Sequence, residues 1–231
     1  MLTARHFTIT TLPTLGDLGT APPMGLADLI EHVEENKQWR EQIEAVVLLD
    51  DLFQRESYLA GEVDEVEPAV LSVQQAQGEA ALPDWLFPEV DEERPSALET
   101  DILWENYFRY VHRLGRSKRS QFLVRWVEFE VALRNALATT RARRLGLDET
   151  AYLVAPDLAA VGEDLSAVLS EWEAATTPLV GLRVIIRARW AWLEQNDAWF
   201  SFSVDELLAY AARVMLIEQW RRTAEKEEGG A

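Results

Sequence analysis

The chain has 231 residues, 48% of them hydrophobic, no cysteine and a formal net charge of −18. That is enough apolar matter for one sizeable globular unit or two small ones, and the missing cysteine excludes disulfides, thiol nucleophiles and thiolate metal sites. The acidity is uneven: residues 1–101 hold 22 Asp and Glu against 5 Lys and Arg, net −17, and ten of the 22 basic residues lie between Arg109 and Arg144, a balance that disfavours non-specific nucleic-acid binding.

The opening MLTARHFTITTLPTL lacks the basic start and apolar run of a signal peptide, and no stretch reaches the ~18 apolar residues of a membrane span. A soluble, cytoplasmic protein without direct membrane insertion is expected. HFTITTLP alternates and is rich in Thr, Phe and Ile, which predicts a short strand or extended lead-in up to Pro13. After it the periodicity is helical. LADLIEHV places Leu26, Leu29, Ile30 and Val33 on one face, and WREQIEAVVLLDDLFQRESYL does the same with Trp39, Ile43, Val46, Val47 and Phe53 before Gly61 stops it. From Glu62 to Arg94 the pattern weakens and Pro68, Gly78, Pro83 and Pro88 interrupt it, so 62–95 reads as a loop-rich connector in which AVLSVQQA is compatible with a short helix.

Ser96 and Glu99 form a capping-box pattern ahead of a helix with Leu103, Tyr107, Tyr110, Val111 and Leu114, which Gly115 is expected to stop. One long helix is predicted from about Ser120 to Leu145, with Phe122, Trp126, Phe129, Leu133 and Leu137 as its apolar stripe. PDLAAVGEDLSAVLSEWEAA is helical with an interruption at Gly162. Thr177 and Pro178 open the next helix as cap and first-turn proline, and Ser203 with Glu206 opens the last. Six to seven amphipathic helices without convincing strands between them imply an all-α, irregular helical array with a short extended N-terminal segment. The expected organisation is an acidic N-terminal half, 1–95, and a C-terminal half, 96–231, in one compact structural unit.

On a helical wheel with Trp126 at zero, Leu137 falls at about 20°, Glu130 at about 40°, Arg141 at about 60°, Arg134 at about 80° and Asn135 at about 180°. Glu130, Arg134 and Arg141 therefore flank one margin of the apolar stripe, where a charge must be paired or keep its head in water. A solvent-exposed i,i+4 pair of Glu130 with Arg134 is one reading; a polar seam between helices, or an interface with the acidic half, is the favoured one. Asn135, opposite, is not accounted for by this pattern. LLDDLFQRE invites comparison with the aspartate-rich box of all-α isoprenoid synthases, where paired carboxylates hold Mg²⁺, but Gln54 stands where a third aspartate would be. Asp50 and Asp51 are therefore expected in a solvated acidic turn, a Mg-dependent enzyme being the disfavoured alternative.

His6, His32 and His112 have no metal-ligand spacing, and no glycine-rich phosphate loop or GxSxG elbow is present. No catalytic residue, cofactor or metal is expected. RARWAW is read as helix packing with Arg187 and Arg189 on the wet side and the tryptophans as core anchors.

FEVALRNALATTRARRLGLDETAYLVAPDL resembles the C-type (in eukaryotes, d-type) socket component of V-type and A-type rotary ATPases, with Glu130, Arg134, Asn135, Arg144, Leu145 and Gly146 at the matching positions. The closing FSFSVDELLAYAARVMLIEQWRR is similar to that family's last helix, with Ser203, Tyr210, Glu218 and Arg221 in similar places. The chain also resembles a family of bacterial proteins of unknown function often encoded beside V-type ATPase genes, through TITTLP, Pro22 and Pro23, GLADLIEHV and FLVRWVEFEVALRNALATTRARRLG. What the resemblance implies is a non-catalytic component linking central stalk to membrane rotor ring, with those ATPase subunits as partners. An acidic adaptor or assembly factor for the same ATPase is the alternative.

Overall fold

The computed structural model describes residues 7–86, 99–197 and 201–229, with the side chains of 99 and 226–229 outside the description. Apart from a single helical turn at residues 7–10, the described residues contain eight α-helices and no strand, an all-α protein whose helix count slightly exceeds the six to seven expected. In chain order these are α1 (Leu26–His32), α2 (Lys37–Leu59), α3 (Val73–Ala76), α4 (Glu99–Lys118), α5 (Gln121–Leu145), α6 (Ser166–Glu173), α7 (Pro178–Asn196) and α8 (Val204–Gly229). Short 3-10 turns lie at Asp84–Leu86, Glu149–Tyr152 and Pro156–Leu158.

The expected extended lead-in is only half right. Residues 7–10 make a single helical turn ahead of α1, and the chain runs irregularly from Pro13. The cause is local: the Thr10 and Thr11 hydroxyls both donate to the Phe7 carbonyl, at 3.1 and 2.9 Å, which favours a turn over a strand despite the alternating pattern.

The chain divides into two compact units. Residues 1–81 and 176–231 form one, and the contiguous stretch 82–175 forms the other. In the discontinuous unit α8 is the central element. Leu207, Leu208, Val214, Met215, Leu216 and Ile217 are all fully buried, because α1, α2 and α7 pack around it. Most of the expected core positions of α1 and α2 are buried with them, Leu29, Ile43, Val46 and Val47 completely, while Phe53 is half-buried. Asn36 accepts from Trp39 N to begin α2, and Gly61 with φ 70° follows its end. Ser72 and Gln75 form a reciprocal capping box on α3.

The contiguous unit is an antiparallel hairpin of α4 and α5 with the 3-10 turns and α6 laid against it. Trp104, Tyr107, Phe108 and Trp126 are its largest buried side chains, and Trp85 stacks on Tyr110 with centroids 4.0 Å apart. The boundaries of α5 agree with the predicted span from about Ser120 to Leu145. The Ser120 hydroxyl accepts from Leu123 N, and Gly146 ends the helix at φ 68°. Gly115 does not stop α4, which runs to Lys118. Its hydrogen faces the start of α5, where an added Cβ would lie 2.9 Å from Leu123 Cβ and 3.1 Å from Val124 N, so this glycine sets how closely the two helices meet. Residues 156–175 are less helical than expected: one 3-10 turn, a Gly162 turn at φ 88° and the short α6 take the place of one interrupted helix. The Ser96–Glu99 box lies outside the described residues. Glu206 does reach back at the start of α8, but to Phe202 N at 2.7 Å, one residue before Ser203.

Candidate functional site

The residues singled out on α5 do not form one seam. Arg134 reaches across the hairpin to α4, where it donates to Asp101 at 3.1 Å and lies over the Trp104 ring, 4.9 Å from its centroid. Its carboxylate partner is therefore Asp101 and not Glu130, which is itself buried in the same unit at 2% exposure. A guanidinium at the edge of an apolar stripe extends toward the neighbouring helix because that is where a desolvated carboxylate and an aromatic face await it. Asp101 is buried, so the pair is part of the interior on one side and open to water on the other.

Asn135, which the helical wheel leaves unexplained, has a clear task. It is buried, its amide N–H donates to the Val154 carbonyl at 2.9 Å, and its carbonyl oxygen accepts from Val154 N at 2.9 Å. One side chain thus satisfies both backbone groups of a loop residue that is 1% exposed. The loop turns there, with Ala155 at φ 41°, and Ala160 N donates to the Glu128 carbonyl further along. The face of α5 opposite the stripe is therefore covered by residues 148–160.

Arg141 and Arg144 are exposed. Arg141 sits 5.8 Å from the Trp172 ring centroid, and Arg143 between them makes a two-pronged contact with Glu149 at 2.9 and 3.0 Å. Leu145 is exposed and Gly146 serves as the helix cap.

A second polar cluster lies in the discontinuous unit, at residues expected from sequence in a solvated turn. Asp50 and Asp51 are 2% and 0% exposed, inside α2. Asp50 Oδ1 accepts from Gln219 at 2.9 Å and Arg222 at 2.5 Å, both on α8, and its Oδ2 accepts from Gln54 at 2.9 Å. Asp51 accepts three backbone N–H groups, from Ala69, Val70 and Leu71, at 2.7 to 2.9 Å. Burial nevertheless dominates and pushes its carboxyl up to about 6, the three backbone donors pulling it back down and the neighbouring Asp50 adding to the rise. The departure from expectation has a simple cause: the chain leaves α2, turns at Gly61 and returns, so a run of amides meets a carboxylate that the sequence reading leaves in solvent. Glu218 of α8 likewise accepts from Leu26 N at 3.1 Å, and burial raises its carboxyl above the usual range.

The remaining positions on the last helix act in the same way. Tyr210 donates to the Pro13 carbonyl at 2.9 Å, and burial pushes its phenol up to about 12. Ser203 pairs with Ser201, and the exposed Arg221 lies 3.6 Å from Glu225. Arg189 also departs from expectation. It is 4% exposed, its guanidinium 4.9 Å from the Phe53 ring centroid, while Arg187 is on the wet side as read. Arg183 over Trp220 and Arg213 over Trp190 extend this use of arginine between helices under an aromatic face.

Chemically, these clusters hold backbone and side chains in place. The carboxylates of Asp50 and Asp51 already receive six protein donors, so ligating a cation there would first require breaking those bonds. Among the described residues no group of three or more His, Asp or Glu could hold a metal ion. No helix in them is long and apolar enough to cross a membrane.

Helices fastened by interhelical arginines and an amide clamp define an all-α scaffold. Within that class, the chain belongs to the family described as Protein of unknown function (DUF2764), whose model matches residues 57–230. No curated protein and no solved structure matches it.

Proposed function

We propose that this protein is a non-catalytic component of a bacterial V-type ATPase, comparable to the central-stalk socket that its sequence resembles. The observation that carries the reading is the use made of Arg134 and Asn135, the pair on which the resemblance rests. Both are spent on architecture, Arg134 joining α5 to α4 and Asn135 joining α5 to its covering loop, as a body that transmits load between partners requires. Tyr210 and Glu218, at similar places in the last helix, tie that helix to the N-terminal segment in the same spirit. On this reading the partners are the central stalk and the rotor ring, the protein sits peripherally at the inner membrane through the complex, and it has no catalytic centre or cofactor of its own. The six donors on Asp50 and Asp51 weigh against a Mg-dependent enzyme.

A second reading, an acidic adaptor or assembly factor for the same ATPase, draws on the net charge of −18, which suits transient capture of basic surfaces on the ATPase's other components. Co-purification of the tagged protein with native membranes tests both. Stoichiometric recovery with head and rotor ring is the outcome expected of a permanent component. Recovery with free or partly assembled subunits alone favours the factor, and recovery with neither overturns both readings.

A further inference from the structure

Between Glu105 and Glu128 the chain has no Asp or Glu at all, yet it carries Arg109, Arg113, Arg116, Lys118, Arg119 and Arg125. In a chain of net charge −18 this is an island of the opposite sign, and the fold gathers it at the turn of the α4–α5 hairpin. Both bordering carboxylates are engaged, Glu105 with Arg109 at 2.8 Å and Glu128 facing His112 at 3.7 Å. Arg109 is further held by Asp157 at 2.8 Å. The side chains of Arg113, Arg116 and Arg119, by contrast, are exposed and have no ion pair or hydrogen bond among the described residues. The turn places Arg119 at the tip: it ends α4 in the left-handed conformation, φ 60°, with Ser120 N donating to the Gly115 carbonyl at 2.9 Å.

We infer that this hairpin tip is a docking surface for a carboxylate-rich segment of a partner protein, gripped by the guanidinium forks of Arg113, Arg116 and Arg119. Arginine presents a planar set of donors that matches a carboxylate two bonds at a time, and three of them in the open constitute a site for several carboxylates. Other polyanions fit less well. None of the large exposed apolar side chains lies between 106 and 127, so the tip has no means of entering a lipid surface. The aromatic residues of this stretch are buried or stacked internally, Tyr110 on Trp85, and offer no platform for bases. An extended polyanion would also meet repulsion from the rest of a strongly acidic chain, which a short acidic segment escapes. The inference holds whichever assembly the protein serves.

The test is a titration of the full-length protein with a short fluorescein-labelled peptide rich in Glu and Asp, read by anisotropy across a salt series. The comparison is the variant Arg113→Ala, Arg116→Ala, Arg119→Gly, whose last change suits the backbone at that position. Saturable binding that weakens with salt, and by roughly tenfold or more in the variant, is expected. The milder Arg116→Gln should weaken binding in the same direction, and both variants should keep the native circular dichroism. No binding, or equal affinity in all three proteins, overturns the proposal. So does a preference, lost in the variant, for phosphatidylserine vesicles or duplex DNA over the peptide. Concentration-dependent self-association that the variant abolishes would assign the surface to a second copy of this chain and overturn it as well.

Discussion

Asn135 and Val154 exchange two hydrogen bonds of 2.9 Å, one in each direction, so that an amide side chain on a helix completes the backbone of a loop as a neighbouring strand would. The loop residue is buried, out of reach of bulk water. Asn135→Ala should therefore destabilise the protein by about 2 kcal/mol or more, the cost of leaving a buried donor and acceptor unmet. Urea unfolding measures it, and hydrogen exchange should speed up at Val154 N–H before it does elsewhere in the same unit. Unchanged exchange at that amide would mean that the loop holds itself.

Arg134→Ala removes the charge opposite Asp101, whose side chain is only 10% exposed. Because Arg134 itself is 26% exposed, the expected loss is about 1–2 kcal/mol, below that of a fully buried pair. A double-mutant cycle with Asp101→Asn should return most of it as coupling. Independent, additive effects would place the contribution of Arg134 in its contact with Trp104.

Asp51 makes stability depend on pH in the direction opposite to a paired surface carboxylate. Its carboxyl is raised from 3.8 to about 6 on folding, so the folded state holds the proton more tightly than the unfolded one. The stabilisation is fully present below about 3.8 and is lost as pH rises through about 6, a span of roughly 3 kcal/mol. Glu218, also raised, acts with the same sign. Measured as urea midpoints, the wild type should gain on Asp51→Asn as pH falls from about 6 to about 4. A constant difference across that window would show that the Asp51 proton does not distinguish folded from unfolded chain.

Gly115→Ala tests the hairpin crossing. Alanine favours a helix by up to about 1 kcal/mol, but its methyl would press on Leu123 Cβ and Val124 N at 2.9 and 3.1 Å, with backbone on one side unable to yield. A net loss of about 1–3 kcal/mol is expected by thermal or chemical denaturation. Gly146→Ala is the useful control: nothing lies within 4 Å of its Cβ and the cost is the φ of 68° alone, about 1 kcal/mol.

What could be read from sequence was whatever is local. Ser120 and Gly146 delimit α5 because caps are neighbours of the bonds they make, and the faces of α1 and α2 follow from spacing. What could not be read depends on chain returning from afar. Asp50 and Asp51 look like solvated charges until amides 69–71 and the side chains of Gln219 and Arg222 arrive. Asn135 looks stranded until the 148–160 loop covers it. Arg189 looks wet until Phe53 is placed beneath it. A helical wheel assumes one buried side, whereas α5 is covered on two. The signal that was available is the polar residue type itself: an Asn or an Asp pair within an apolar helix asks for a partner, and here each has one.

The discontinuous unit also carries a schedule. Its helix α2 is made early, yet α8, which packs on it and supplies two of the three donors to Asp50, is made only after the whole of residues 82–175. At ~5–20 residues per second α2 waits roughly ten to thirty seconds, apolar face and acidic pair uncovered, while residues 82–175 are complete and free to fold first. The newborn chain therefore passes through an interval in which one unit has all its residues and the other is an open helix still without its cover.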